Sequence, residues 1–301
     1  MEKALEYHQL TQEVTGFIHI SFSEFDKYKR CGHKHLLEKY LKLVEDTPSI
    51  HLYFGNAIHK AIEFGLKFPD EYPLEKRIEL FREEFYKEMH DNLSNDPSFG
   101  ELNNFLDQGE HILKILSTEA ILKKYDVVGV EYQLYEPLYG QFYFKGFIDL
   151  IVRDKKTGRY VIFDWKTSGQ EWDVNKKKKD NIFMAQMRLY KYFFAKKSGV
   201  PFEEIDCKYV VLNRLINKNE PNGGYGQLQP VEIFSTYQDI ESSLTNLAEA
   251  MRKIHIEHYF PKAKLIGEGK NCFFCPYKNN FAMCNNDIKQ YEALLMEHLQ
   301  K

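Results

Sequence analysis

Phe142-Tyr-Phe-Lys-Gly146-Phe-Ile-Asp149-Leu-Ile-Val152, the polar stretch Asp154-Lys-Lys-Thr-Gly158, and Tyr160-Val-Ile-Phe-Asp164-Trp-Lys166-Thr167 decide the fold. Two runs rich in aromatic and β-branched residues, split by turn-forming residues, predict a pair of strands joined by a tight connection. With Arg153 opposite Tyr160 in an antiparallel hairpin, Asp149 falls opposite Asp164. Side chains alternate along a strand, so Asp164 and Lys166 leave the same face. Two acids and a lysine are expected together at one edge of a sheet.

Carboxylates facing each other across a strand pair repel, and buried charge without a partner is costly, so the arrangement calls for a cation. An oxygen-seeking divalent metal, Mg²⁺ or Mn²⁺, suits that donor set. Asp149 and Asp164 would hold the ion, while Lys166 orients water or neutralises charge developing on a phosphorus centre. The chemistry this implies is phosphodiester hydrolysis. The plainer account makes them solvated strand-end acids and a surface lysine. It suffices for any one of the three and strains to cover all of them with the companions that follow.

Gly55-Asn-Ala-Ile-His59-Lys-Ala-Ile-Glu63 sets His59 and Glu63 four apart on one helix face, beside the apolar stripe Phe54, Ile58, Ile62 and Leu66. A neutral imidazole there can complete a metal shell, although a histidine bordering such a stripe is more often simply packed. After the second strand, Gln186 and Tyr190 again lie four apart, on a helix that Asp180 or Asn181 can cap. Gln186 can hold a base, a phosphate or the lysine; an ordinary amphipathic helix with Met184, Met187, Tyr190 and Phe194 inward fits equally well. Lys176 to Lys179 is expected as a loop, and its place beside the acids points to phosphate contact.

At 301 residues and a formal net charge of −3, the chain is long enough for a sizeable core and too balanced for a general nucleic-acid coat, so DNA contact must come from local patches. No apolar run spans a membrane and no secretory signal opens the sequence, which leads us to expect a cytoplasmic protein of a bacterial or phage-infected cell. Helices are expected from Ser21 to Leu43, His51 to Lys67, Pro73 to Leu93 and Glu101 to Lys124, with residues 70–125 as a helical cover beside the cleft. Strands follow over Val127 to Glu136, Gln141 to Val152 and Tyr160 to Trp165, then the Gln186 helix and a strand from Asp206 to Leu212. Pro221-Asn-Gly-Gly-Tyr-Gly226 is a hairpin-type turn. A strand from Gln229 to Phe234 and a helix from Thr236 to Tyr259, with Ile240, Leu244, Leu247, Met251 and Ile254 on one face, complete the pattern. The order predicts an α/β core, a mixed central sheet flanked by helices, with an N-terminal helical arm and a C-terminal cysteine cap.

The order Ser21-Phe-Ser23, Tyr28-Lys-Arg-Cys31, Gly55 to His59 to Glu63, Glu131, Gly146 to Asp149, Asp164 to Lys166 and Gln186 to Tyr190 resembles the PD-(D/E)XK nuclease superfamily in its RecB-like branch. The resemblance runs from about Ser21 to Cys284 and implies a restriction-endonuclease-like core. It implies metal ligation by His59, Asp149, Asp164 and the Trp165 backbone carbonyl, with Lys166 catalytic. Gln186, Tyr190 and Thr167 would lie on the substrate side, with Glu63 and Glu131 as accessory acids. The division it suggests is 1–125 for the helical region, 126–260 for the nuclease core and 261–301 for the cysteine cap packing with Cys31.

Cys31, Cys272, Cys275 and Cys284 lie outside the catalytic stretch, and Cys272-Phe-Phe-Cys275 in such a chain suggests metal ligation more than a disulfide. One early and three late cysteines resemble the layout of iron–sulfur RecB-like nucleases, including the exonucleases of CRISPR adaptation and the AddB nuclease domain. The resemblance implies a [4Fe–4S] cluster on Cys31, Cys272, Cys275 and Cys284, with Pro276, Phe273, Phe274 and Tyr277 shielding it. The gap from Cys275 to Cys284 is longer than usual there. A structural Zn²⁺ with His33 or His35 in place of Cys31 is the alternative. The function expected is a DNA exonuclease acting on single-stranded or end-containing DNA in recombination, repair or phage DNA processing, with a separate helicase or recombination protein as partner. A structure-specific endonuclease, or a non-catalytic DNA-end-binding protein of the same fold, is the alternative.

Overall fold

In the computed structural model the elements run β1 (Ile18–Ser21), α1 (Phe22–Arg30), two short helical turns (Gly32–His35 and Leu36–Tyr40), α2 (Ile50–Lys67), α3 (Leu74–Asn92), α4 (Phe99–Ile115), α5 (Thr118–Lys124), β2 (Tyr125–Tyr139), β3 (Phe142–Asp154), β4 (Tyr160–Ser168), α6 (Val174–Lys178), α7 (Asn181–Ser198), β5 (Ile205–Asn213), β6 (Leu228–Ile233) and α8 (Tyr237–His255). The structure describes residues 18–40, 49–92, 99–140, 142–214 and 227–261, with Cys275, Tyr277 and Cys284. The turn expected at Pro221 to Gly226, Cys272, and nearly all of the expected 261–301 cap lie outside the described residues. Two units interleave along the chain: Thr47–Leu134 with Gly146–Ile240, and Met1–Asp46 with Tyr135–Lys145 and Glu241–Lys301.

The first of these units contains the predicted hairpin. β3 and β4 pair antiparallel with Arg153 opposite Tyr160 and Leu150 opposite Phe163, the register read from the sequence. β4 pairs parallel with β5, and β5 antiparallel with β6, so the sheet is mixed. Strand alternation turns Leu150, Val152, Val161, Trp165, Val210 and Leu212 to one face, where the expected stripe of α2 packs on them: Phe54, Ile58 and Ile62 are fully buried and Leu66 nearly so. α7 begins at Asp180, whose carboxylate accepts from the N–H groups of Ile182 and Phe183, and ends at Gly199 in the left-handed conformation. Among the described residues no helix is long and apolar enough to cross a membrane.

Residues 70–125, expected as a helical cover, supply core. Phe81 and Phe85 of α3 stack at 5.9 Å and meet Phe54 edge-on, with Phe105 of α4 closing the cluster. The single helix expected from Glu101 to Lys124 breaks because the Ser117 hydroxyl accepts from Ala120 N at 3.0 Å and starts a new helix. The lysine run is likewise no loop: Asp173 caps α6, and Lys177 lies over the rings of Trp172 and Phe183 at 4.6 and 5.0 Å.

In the second unit, Ile18–Ser21 forms a strand that the sequence did not announce, parallel to the first residues of β3. Ser21, rather than Ser23, caps α1, but the helix stops at Cys31, which is extended. The reason is a contact distant in sequence. Gly32 lies so close to Pro261 that a Cβ would sit 2.7 Å from the proline ring, and His33 N donates to Pro261 O at 3.1 Å. Residues 41–43 of the expected helix lie outside the described residues.

Gly109 of α4 faces the buried ring of Phe81, and a methyl group there would fall inside that ring. We expect Gly109→Ala to destabilise the protein by about 1–3 kcal/mol through overpacking, despite alanine's better helix propensity. Thermal unfolding of the variant, lowered rather than raised in midpoint, checks this.

Candidate active site

Asp149 and Asp164 come together where the β3–β4 ladder opens. One step beyond the last pair, Leu150 with Phe163, the Asp149 carboxylate takes over a backbone role and accepts from Trp165 N–H at 2.6 Å. Asp164 is almost wholly buried, with Lys166 Nζ 2.5 Å from its Oδ2, as two residues on one strand face allow. On α2, His59 Nδ1 lies 3.7 Å from Asp149 Oδ2. Gly55 lets that helix approach β4: an added Cβ would stand 3.2 Å from Thr167 Oγ1.

Glu131 joins them. It sits mid-strand in β2 with φ of 50°, a left-handed conformation that a non-glycine residue adopts only under constraint. Among the described residues, His59, Glu131 and Asp149 form the one group of three or more potential ligands whose donor atoms all lie within 4.8 Å of one another. Sequence reasoning carried Glu131 only as an accessory acid. The available signal was Gly129, since an isolated glycine in a strand marks a bulge or a close approach.

α7 supports the site from its own face. Gln186, 8 % exposed, donates from Nε2 to Asp164 Oδ1 at 2.9 Å and lies 3.3 Å from the Tyr190 hydroxyl. Its Oε1 accepts from Tyr209 O–H, which also reaches Phe183 O at 3.0 Å. Gln186 thus holds an acid, a partner other than the base, phosphate or lysine expected from the sequence. Met184, Met187, Tyr190 and Phe194 are all buried on the same helix. Glu63 is paired with Lys67 at 2.5 Å.

Electrostatics mark the centre as short of positive charge. Burial raises Asp164 to about 6, neighbouring Asp149 adds to the rise, and Lys166 offsets only part of it. Burial also raises Asp149 and Glu131, the latter further because Asp149 lies beside it. His59 is held neutral, pulled down to about 4 by burial and by the charge of Lys166. Three carboxylates against one lysine leave an excess of two negative charges, which one divalent cation would neutralise. Asp164 Oδ2, buried and lacking a well-directed hydrogen bond, faces the Lys166 ammonium. The mixed oxygen and imidazole donors therefore fit such an ion.

The sequence profile of the PD-(D/E)XK nuclease superfamily matches residues 19–280. The chain belongs to this superfamily. PD-(D/E)XK proteins are in general nucleases that use divalent metals and take DNA as substrate. A search for similar characterised proteins returned no match.

Three cysteines of this PD-(D/E)XK protein, Cys31, Cys275 and Cys284, belong to the other compact unit. Cys31, Cys275 and Cys284 are free thiols, partly exposed. Cys275 and Cys284 pack on Leu37 and Tyr277, whereas Cys31 Sγ accepts from Lys34 N at 3.4 Å. His35, weighed as a substitute ligand, is fully buried and bonded to Glu24 at 3.0 Å. Cys207 is buried in β5, its thiol pushed up to about 12 by burial.

Raised carboxyl pKa values mean that the folded, metal-free chain holds protons which the unfolded chain has already lost. Its stability therefore falls as pH rises from about 4 toward neutrality, and a cation that binds the ionised acids must expel those protons. Titration calorimetry with Mn²⁺ in buffers of differing ionisation enthalpy should show net proton release, larger at about pH 6 than at about pH 8.5. His59, already neutral, adds nothing to that count. Release that is absent at both pH values would contradict the acid cluster as the binding site.

Proposed function

We propose that the protein is a divalent-metal-dependent DNA exonuclease, cutting single-stranded or end-containing DNA in recombination, repair or phage DNA processing. The observation that carries this is the charge imbalance at Asp149, Asp164, Glu131 and His59 with one lysine at its rim, a set that a purely structural site has no use for. His59, Asp149, Asp164 and the Trp165 carbonyl are assigned to the metal, and Glu131, inside the same cluster, joins them. When bound, Mg²⁺ or Mn²⁺ supplies Lewis-acid polarisation of the phosphodiester.

Lys166 is assigned to the reaction itself. Its ammonium, held by Asp164 and lying 5.6 Å from the Tyr209 ring centroid, is presented partly to solvent, where it can hydrogen-bond attacking water or a phosphate oxygen gaining charge. Gln186 and Tyr190 fix Asp164 in position, and Glu63 tunes the acids through their shared field. Thr167, at the close contact between α2 and β4, lines the route of the substrate.

The need for a free DNA end rests on the resemblance of the cysteine layout to iron–sulfur RecB-like exonucleases. A [4Fe–4S] cluster on Cys31, Cys272, Cys275 and Cys284 belongs to this proposal; three of the four fall in one compact unit and none of the described ones is in a disulfide. It would close a loop of more than two hundred residues, at an entropic cost that grows only logarithmically with length. A helicase or recombination protein would supply duplex unwinding.

Asp164→Ala and Lys166→Ala should each lower Mn²⁺-dependent degradation of linear DNA by about a hundredfold or more while thermal unfolding remains cooperative. Circular single strands should resist; circles cut as fast as linear strands would make the enzyme an endonuclease. Anaerobic purification should yield a brown protein with about four iron and four sulfide per chain, and a colourless protein loaded with zinc would remove the cluster.

A further inference from the structure

Arg214 follows the last residue of β5 and donates its main-chain N–H to Ser168 O at 2.8 Å, so it extends the same parallel strand pair that carries Asp164 and Lys166. Lys166 lies two residues before Ser168, about 7 Å along β4. The Arg214 guanidinium rests over two rings, 5.2 Å from the centroid of Phe54 and 5.0 Å from that of Phe105. Phe54 is the residue before Gly55 on α2, the helix that also presents His59.

Arg214 differs from the other seven arginines in what it holds. Six of them are paired with a carboxylate, and Arg153 donates to Gly158 O. The Arg214 side chain has no acid and no hydrogen-bond acceptor among the described residues, although burial strips enough water from it to lower its pKa, with no acid opposing. A cation removed from water without a counter-charge is costly, and contact with two rings recovers part of that cost. Both rings, their centroids 5.6 Å apart, lie to one side of the guanidinium, and its N–H donors meet no acceptor among the described residues. That is the geometry of a fork held ready for an anion with paired oxygens.

The surroundings agree. Gly169 leaves room for the fork, since a Cβ there would stand 3.2 Å from Arg214 Nη2. His51, its ring 5.5 Å from that of Phe105, is kept toward its neutral form by burial and by the Arg214 charge, so it can donate a hydrogen bond without adding a second cation.

We propose that Arg214, braced on Phe54 and Phe105, is a phosphate-binding residue that grips the DNA backbone beside the phosphodiester being cut. This rests on the nuclease function proposed above. It adds a substrate contact on the α2 face of the sheet, opposite the face from which Gln186 supports Asp164.

The test is binding of a fluorescent single-stranded oligonucleotide to the full chain across a salt series, alongside kcat and KM for its degradation with Mn²⁺. Arg214→Met should weaken binding about five- to tenfold at low salt and reduce the slope of log Kd against log salt by about 0.7, the loss of one phosphate contact to a single strand. KM should rise while kcat changes less than about twofold. Arg214→Lys should keep most of the slope yet bind more weakly, because charge survives and the fork does not. Phe105→Leu, which leaves the charge and loosens the brace, should behave like the lysine variant and covers the case in which Arg214→Met fails to fold. If the wild type degrades DNA while all three variants match it in Kd, slope and KM, the phosphate role falls and the nuclease function stands. If the wild type neither binds nor degrades DNA, both fall.

Discussion

Mutual repulsion among Asp149, Asp164 and Glu131 is the constraint around which the unit that holds them is arranged. Each acid is fixed by a different element, β3, β4 or β2, and each is raised by burial. A fold tolerates such a cluster only where rigid neighbours prevent the side chains from moving apart, since exposed acids would simply turn to water. Here the ladder opens at Asp149, so Trp165 N–H, left without a strand partner, holds one carboxylate inward. The left-handed backbone of Glu131 sets another beside it.

The third acid is held through a relay. A glutamine amide can present either end, and which end faces Asp164 decides whether the contact attracts or repels. The Tyr209 hydroxyl settles it: by donating to Gln186 Oε1 it turns Nε2 toward Asp164. Tyr209 stands opposite Asp164 in the parallel β4–β5 register, so the relay spans adjacent strands and one helix turn. The same ring underlies Lys166, placing the hydroxyl that orients the glutamine and the face that attracts the ammonium on one side chain. Phe183 stacks on that ring at 4.5 Å and keeps it from swinging away.

Features set by local periodicity were legible in the sequence. The strand period and the Asp154-to-Gly158 turn fixed the β3–β4 register, and the three-and-four spacing from Phe54 to Leu66 fixed the buried face of α2. What escaped depends on contacts between distant segments. Nothing within Ile18–Ser21 marks it as a strand until β3 lies alongside, and the break at Cys31 follows from Pro261, more than two hundred residues away. The lysine run looked like loop because four like charges repel, yet one capping aspartate and two aromatic rings make it helical. Arg214 was invisible for another reason: its distinguishing feature is a missing acid, and sequence cannot show which of many nearby carboxylates fails to arrive.

α2 joins these levels. Phe54 packs against Phe81, Phe85 and Phe105, which ties the helix to the core, while its ring also braces Arg214. One residue later Gly55 gives the close approach to Thr167, and a turn beyond that His59 reaches Asp149. Over about five residues, some 7 Å of helix, the chain thus passes from a core ring that also braces Arg214, through the close approach to β4, to the imidazole beside Asp149. Placing all three on one rigid helix keeps their spacing constant, which a loop could not do to the fraction of an ångström that catalysis requires. The aromatic cluster then has a purpose beyond stability: burying a large aromatic side chain contributes about 2–3 kcal/mol, and that excess lets the helix carry a desolvated imidazole and brace the arginine that follows β5 without melting.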